Sequence, residues 1–148
     1  MKNVVITGSS RGIGFELVKL FNKNNYNVIA LSRNTSSVSK LNLNNVSTFS
    51  TDLSDSSSIN KTVKFINNKF SSVDILINNA GKLINKPFVE TTKQDFISVY
   101  NVNVFGLAEL IRLLLPSFSD MSHIINISSI GGIAGSSKFS GLSAYSSS

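Results

Sequence analysis

Apolar residues in this chain fall into two kinds of stretch that alternate along its length. Val4-Val5-Ile6 and Ile75-Leu76-Ile77 are short and wholly apolar, and Asn27-Val28-Ile29-Ala30-Leu31-Ser32 is nearly so. Such runs predict strands, and those without polar alternation predict strands buried on both faces. Val46-Ser47-Thr48-Phe49-Ser50-Thr51 alternates instead and predicts a third strand. Between the runs the period becomes helical. Phe15 to Phe21 opens a helix that ends near Asn24-Asn25, and Ser36 to Leu41 predicts a short helix or turn. Ile59, Val63, Ile66 and Phe70 mark a helix capped by Asp55 or a neighbouring Ser. After a polar loop through Pro87, Thr92 opens a long helix carrying Phe96, Val99, Tyr100, Asn103, Val104, Leu107, Ile111 and Leu114. Pro116 stops it. Ile124-Ile125-Asn126-Ile127 predicts a fifth strand, and Ser128 to Ser148 is rich in Gly and Ser.

Strand and helix in strict alternation predict an α/β fold: a doubly wound parallel sheet of about five strands, with right-handed crossovers and helices on both faces. Length makes residues 1–148 a single domain. Ligands of such sheets bind beyond the carboxyl ends of the strands. The unusual clusters lie there: Gly8 to Gly14 after the first strand, Arg33 after the second, Asp52 after the third, Asn78 to Gly81 after the fourth, Ser128-Ser129 after the fifth. Thr7-Gly8-Ser9-Ser10-Arg11-Gly12-Ile13-Gly14 reads as a glycine turn that aims free N–H groups, at a helix N-terminus, at an anion. Gly8 makes the tight turn, Gly12 lets backbone approach a pyrophosphate, and Gly14 lets the helix pack on the strand. The plainer reading is a turn that binds nothing. No Lys-Ser/Thr follows, which disfavours a kinase-type phosphate loop.

Composition narrows this picture. The chain is 41% hydrophobic and 15% charged, as for a soluble globular protein. Its net charge of +6 is scattered from Lys2 to Lys138 without a run or stripe, so no nucleic-acid partner is expected. There is no Cys, and the one His, His123, reads as a strand-edge residue, so no metal site is expected. No apolar run approaches membrane-spanning length, and the first strand begins too early to leave room for a signal peptide. The expectation is a cytoplasmic protein with no membrane partner.

Taken in order, the decorated strand ends resemble the short-chain dehydrogenase/reductase family. Thr7 to Gly14 matches its T-G-x-x-x-G-x-G, Asn78-Asn79-Ala80-Gly81 its N-N-A-G, and Val102-Asn103-Val104 the segment carrying its catalytic Asn. Ile127-Ser128-Ser129-Ile130-Gly131-Gly132 matches the segment of its catalytic Ser, and Ala144-Tyr145-Ser146-Ser147-Ser148 the start of its Y-x-x-x-K. The resemblance implies a Rossmann fold and hydride transfer between a nicotinamide dinucleotide and a small carbonyl or alcohol. It implies that Tyr145 donates or accepts the proton, Ser129 binds the substrate oxygen, and Asn103 holds a water in the proton relay. It implies cofactor contacts from Gly8, Ser10, Arg11, Gly12, Ile13, Gly14, Asp52, Leu53, Asn79, Ala80 and Gly81, and a homo-oligomer for the whole protein. Plainer readings stand beside these: Asp52 as a turn or cap residue, Asn103 as a helix residue bonded to backbone, Ser129 as one serine among many.

At the end of the second strand an acid would hold a ribose 2′-hydroxyl, whereas a cation suits a 2′-phosphate. Leu31-Ser32-Arg33-Asn34 supplies Arg33 and no acid, and Arg11 is a second cation nearby. NADP(H) is therefore expected over NAD(H), unless both arginines are merely surface residues. Two features depart from the family. The sequence given stops at Ser148, one residue before the motif's Lys, and Ser129 to Tyr145 is longer than the family's usual interval. An unperturbed phenol, with a pKa of about 10, is a poor base at neutral pH. The expectation is a C-terminally truncated piece of a reductase, inactive by itself. The alternative is a dinucleotide-binding sensor or interaction module without catalysis.

Overall fold

The computed structural model describes residues Met1–Ser148. Five strands, β1 (Asn3–Thr7), β2 (Asn27–Ser32), β3 (Val46–Ser50), β4 (Val73–Asn78) and β5 (Phe118–Asn126), form one sheet in the order β3-β2-β1-β4-β5. Every pairing is parallel. The chain steps outward from β1 to β3, then crosses back to β4. The crossovers beside β1 therefore leave in opposite directions and open a crevice at the carboxyl ends of β1 and β4.

The period-2 rule divides the core cleanly. Val5, Ile29, Leu31 and Leu76 face one side, where they meet Ile59 and Ile66 of α3 (Ser56–Lys69) and Leu110 and Leu114 of α5 (Leu107–Leu114). Val4, Ile6, Val28, Ala30 and Ile77 face the other, against Val18 of α1 (Gly12–Lys23) and Val38 of α2 (Ser36–Ser39). Each large aliphatic side chain so buried stabilises the fold by roughly 1.5–3 kcal/mol. Asp55 caps α3, accepting from Ser57 N at 3.0 Å and Ser58 N at 3.1 Å. Thr92 and Asp95 form a reciprocal capping box on α4 (Lys93–Tyr100).

The structure changes the expected layout in two main places. The helix after Thr92 is not uniform: a π-helical turn, Asn101–Gly106, separates α4 from α5. Asn and β-branched residues are poor helix formers and fill most of this turn. It also lies against the loop after β3, where a Cβ on Gly106 would overlap the carbonyl of Leu53. Second, β5 begins six residues before the predicted Ile124. Val73 pairs with Phe118 but Ile75 with His123, so Ser119 to Ser122 bulge out, and Ser119 Oγ is anchored on Asp74 Oδ1 at 2.8 Å. β5 is the edge of the sheet, and its Ile124 and Ile125 remain 42% and 41% exposed, unlike the fully buried Leu76 beside them. β3 ends one residue before the predicted Thr51.

The continuous helical stretch Lys93–Ser117 is also long and apolar enough, by length and composition, to cross a membrane, which no single apolar run in the sequence had indicated. Here Val99, Leu110 and Leu114 of that stretch are fully buried within the domain.

Candidate dinucleotide site

A cavity of about 580 Å³ opens at the carboxyl ends of β1, β2, β3 and β4. Its wall brings together Gly8, Ser10, Arg11, Gly12, Ile13, Arg33, Asp52, Leu53, Asn79, Ala80 and Gly81, eleven of the residues singled out in the sequence. Gly14 lies behind the wall and is buried. A Cβ there would overlap Gly8 O and come within 2.5 Å of Asn79 Nδ2, so only glycine lets α1 start this close to the turn. Gly8 has φ +68°, and a Cβ on it would sit 2.7 Å from Ala80 Cα. Gly12, at φ +59°, faces open space.

This cradle fits the pyrophosphate of a dinucleotide. Arg11 precedes α1 in extended backbone and gives no side-chain cap, and the first turn of α1 holds no acid. The first N–H groups of α1 are thus left for an anion. Side chains fix the turn around them. Thr7 Oγ1 accepts from the main-chain N of Asn79 and of Ala80, each at 3.0 Å, and donates to Ile77 O at 3.3 Å. Asn79 Nδ2 donates to Thr7 O at 3.0 Å and Gly8 O at 3.1 Å. Ser9, fully buried, bonds Leu31 O through both Oγ and N, and Ser37 Oγ donates to Ser10 O at 2.7 Å. The sequence motifs include Thr7 and Asn79 but do not show that their side chains tie the turn to the loop after β4.

On the outer rim Arg11 and Arg33 are both exposed. The two ion pairs of the chain, Lys19–Glu16 and Lys86–Asp95, involve neither. Asp52 has the turn role allowed for it: Oδ1 accepts from Ser54 Oγ at 2.7 Å and Ser54 N at 2.9 Å. Those two bonds, with the charges of Arg33 and Lys82 behind them, hold its carboxyl below the usual range. Behind Asp52 a buried hydroxyl pair, Thr51 Oγ1 and Thr62 Oγ1 at 2.9 Å, ties the end of β3 to α3. Lys82 and Val102 also line the cavity and had been missed. No feature of Lys82 in the sequence marks it, because tertiary contacts alone bring it there. Its Nζ bonds Ser98 Oγ.

Ser129, Asn103 and Tyr145 lie outside the wall of this cavity, although Val102, next to Asn103, is part of it. Asn103 sits in the π turn and brackets Lys82, accepting from its N at 2.7 Å and donating to its O at 3.0 Å. This is the backbone-bonding alternative. Ser129 opens the 3₁₀ turn Ile130–Gly132, and its Oγ accepts from Gly131 N at 3.3 Å. Tyr145 is half-buried in α6 (Ser143–Ser146), which is tied to α4 by Tyr100 Oη donating to Ser147 O at 2.6 Å. A Cβ on Gly131 would lie 3.1 Å from Ser146 Oγ and 3.6 Å from Ser129 Oγ, so α6 and Ser129 meet at that glycine. His123 is exposed on β5, and no three His, Cys, Asp or Glu side chains gather as metal ligands do.

A parallel sheet in this order, with a glycine cradle at its switch point, defines a Rossmann-type α/β protein. Comparison with known proteins makes the class specific. The family model for short chain dehydrogenase matches residues 2–148. An uncharacterised oxidoreductase of Staphylococcus saprophyticus is 35% identical over 138 residues, covering 88% of this chain and 56% of that protein. The ketoacyl reductase HetN of a Nostoc species is 32% identical over 143 residues, covering 90% of this chain and 50% of that protein. The crystal structure of a short-chain dehydrogenase from Streptomyces avermitilis superposes with a TM-score of 0.88 at 31% identity, over 99% of this chain and 55% of that one. The chain belongs to the short-chain dehydrogenase family, and it spans about half the length of these relatives.

Proposed function

We propose that the protein is an NADP(H)-dependent oxidoreductase that interconverts a carbonyl and an alcohol. The observation that carries the cofactor choice is the pair Arg11 and Arg33 on the rim of the cavity, with no acid at the end of β2. Two guanidinium groups free of ion pairs suit a 2′-phosphate, which Arg holds in bidentate fashion. The amides at the start of α1 receive the pyrophosphate, and Asp52 and Leu53 flank the adenine. Asn79, Ala80 and Gly81 flank the nicotinamide ribose. Bound there, the nicotinamide supplies or accepts the hydride.

The rest of the chemistry falls to side chains. Ser129 donates a hydrogen bond to the substrate oxygen and stabilises the charge that builds on it. Tyr145 gives that oxygen its proton, or removes it in the reverse direction. Asn103 shapes the π turn and the loop at Lys82 that border this end of the site. One relative above is named a ketoacyl reductase, and that activity lies in the same reaction class. Ile97 and Phe105, exposed on the long helix, supply apolar surface for a homo-oligomer of the whole protein. Residues 1–148 tested alone are expected to bind the dinucleotide.

Calorimetric titration of the purified protein with NADPH and with NADH tests the reading. The expected result is NADPH binding at least about tenfold more tightly, the worth of one charge-assisted phosphate contact. Equal affinities, or tighter NADH, would remove the 2′-phosphate from the proposal.

A further inference from the structure

The turn after Ser129 is closed by two side chains outside the family motifs quoted above. Lys138 donates from Nζ to Gly131 O at 2.7 Å, Ile133 O at 2.7 Å and Ser136 Oγ at 2.9 Å. An ammonium has three protons and no acceptor, so its capacity is fully used. Ser136 Oγ in turn lies 2.7 Å from Ile130 O and 2.8 Å from Ile133 O, which share its single proton. The loop 130–138 is thus gathered around one charge, although Lys138 itself is exposed. Long lysine side chains at a surface lose much rotamer entropy when held, so three short charge-assisted bonds are needed to keep this one in place.

The clamp reaches Ser129 through a single peptide unit. Ile130 C=O and Gly131 N–H belong to the same planar amide. Its oxygen accepts from Ser136 Oγ and from Ile133 N at 3.1 Å, and its N–H donates to Ser129 Oγ at 3.3 Å. Fixing the oxygen side fixes the direction of the N–H. A serine hydroxyl has one proton and two lone pairs. With one lone pair engaged by Gly131 N–H, its proton is left to point elsewhere. Gly131 also abuts Ser146, next to Tyr145 in α6, so the same peptide seats that helix.

We infer that Lys138, acting with Ser136, is a positioning residue. It holds the 130–136 turn so that the Ser129 hydroxyl is presented as a hydrogen-bond donor to the reacting oxygen. This rests on the role proposed for Ser129. It goes beyond that role by giving a reason for the long interval between Ser129 and Tyr145: the extra chain carries its own fastener.

The test uses the full-length protein with Lys138→Met, Lys138→Arg and Ser136→Ala, and Lys64→Met as a control that removes the same charge from the exposed face of α3. Turnover is read with NADPH and 4-nitrobenzaldehyde, and hydrogen exchange is read for the amides of 130–136. In K138M, kcat is expected to fall about tenfold with KM for NADPH within about twofold, as for a defect in orienting the reacting group and not in cofactor binding. Exchange across 130–136 should quicken. K138R should recover most of the rate, and S136A combined with K138M should be no slower than K138M alone. K138M that exchanges and turns over like K64M overturns the inference, as does a loss that K138R does not relieve. A parent protein that reduces no carbonyl overturns the oxidoreductase reading and Ser129's role with it, while the exchange measurement still decides whether Lys138 holds the turn.

Discussion

Asn103 holds Lys82 by both ends of one peptide residue: Oδ1 accepts from its N at 2.7 Å, and Nδ2 donates to its O at 3.0 Å. The bracket spans from the π turn of the long helix to the loop after β4. Removing it leaves two backbone groups and gives nothing back. Asn103→Leu, similar in size and without polar atoms, should therefore destabilise the protein by about 1–3 kcal/mol. Because Lys82 lines the cavity, dinucleotide affinity should fall as well. Urea unfolding gives the first quantity and titration the second. A variant as stable as the parent would show that water replaces the bracket without loss.

That bracket also shows what the sequence withheld. The strands were legible because Val4 to Ile6, Val28 to Leu31 and Ile75 to Ile77 are apolar whichever face they present, and the helix caps at Asp55 and Thr92 are local signals. The glycine turn was legible because its strain is local too. What escaped depends on distant partners. Thr7 is an ordinary strand residue until Asn79 and Ala80 arrive beneath it, and Lys82 is an ordinary loop residue until Asn103 does. The π turn is set partly by Leu53 pressing on Gly106 from another element. The early start of β5 escaped because Ser119, Asp120 and Ser122 interrupt its apolar pattern, and Ser119 is anchored by Asp74 of the neighbouring β4.

Two glycines of the cradle, Gly14 and Gly12, should fail in different ways. Gly14→Ala forces a methyl group against Gly8 O and Asn79 Nδ2 in a packed region, so a stability loss of about 1–3 kcal/mol is expected. Gly12→Ala meets no atom within 4 Å, but it must hold φ +59° in the wall of the cavity. Its strain should be about 1–2 kcal/mol. The larger effect should be on binding, since backbone can then no longer approach a phosphate closely. Thermal melts with and without NADPH separate the two: G14A should melt early in both, and G12A should lose most of the ligand-induced rise.

Acid should loosen the segment around α4 through Asp95. Its carboxyl is lowered to about 2 by the main-chain N–H of Thr92 first, then by Lys86 and the Thr92 hydroxyl. A carboxylate with a depressed folded pKa stabilises the protein above its unfolded value of about 4. That contribution fades as pH falls from about 4 toward 2. Asp74, lowered mainly by Asn3 N–H, and Asp52, lowered mainly by Ser54, add to the same limb. Stability should be flat in this respect above pH 5 and decline below about 4. Asp95→Asn should be less stable at neutral pH and show a shallower decline in acid. A variant with the parent's full acid slope would assign that slope to other carboxylates.

Arg11 and Arg33 reach the cavity from different elements, one inside the glycine turn and one at the end of β2. If both engage one 2′-phosphate, their effects on NADPH must be specific to that phosphate. Arg33→Ala should weaken NADPH by about 1.5–3 kcal/mol, roughly ten- to a hundredfold, and leave NADH nearly unchanged. Arg11→Ala should act in the same direction. Asp52 supplies an internal check, because the charge of Arg33 helps hold its carboxyl down. Removing Arg33 should let that carboxyl titrate slightly higher, visible in its NMR titration without any ligand. A double-mutant cycle on NADPH affinity then measures whether the two guanidinium groups share a ligand. A coupling of 0.5 kcal/mol or more, about the threshold for neighbouring groups, is expected with NADPH and none with NADH. Full additivity with both cofactors would mean the two arginines act on different parts of the dinucleotide, and the preference for the phosphorylated form would rest on Arg33 alone.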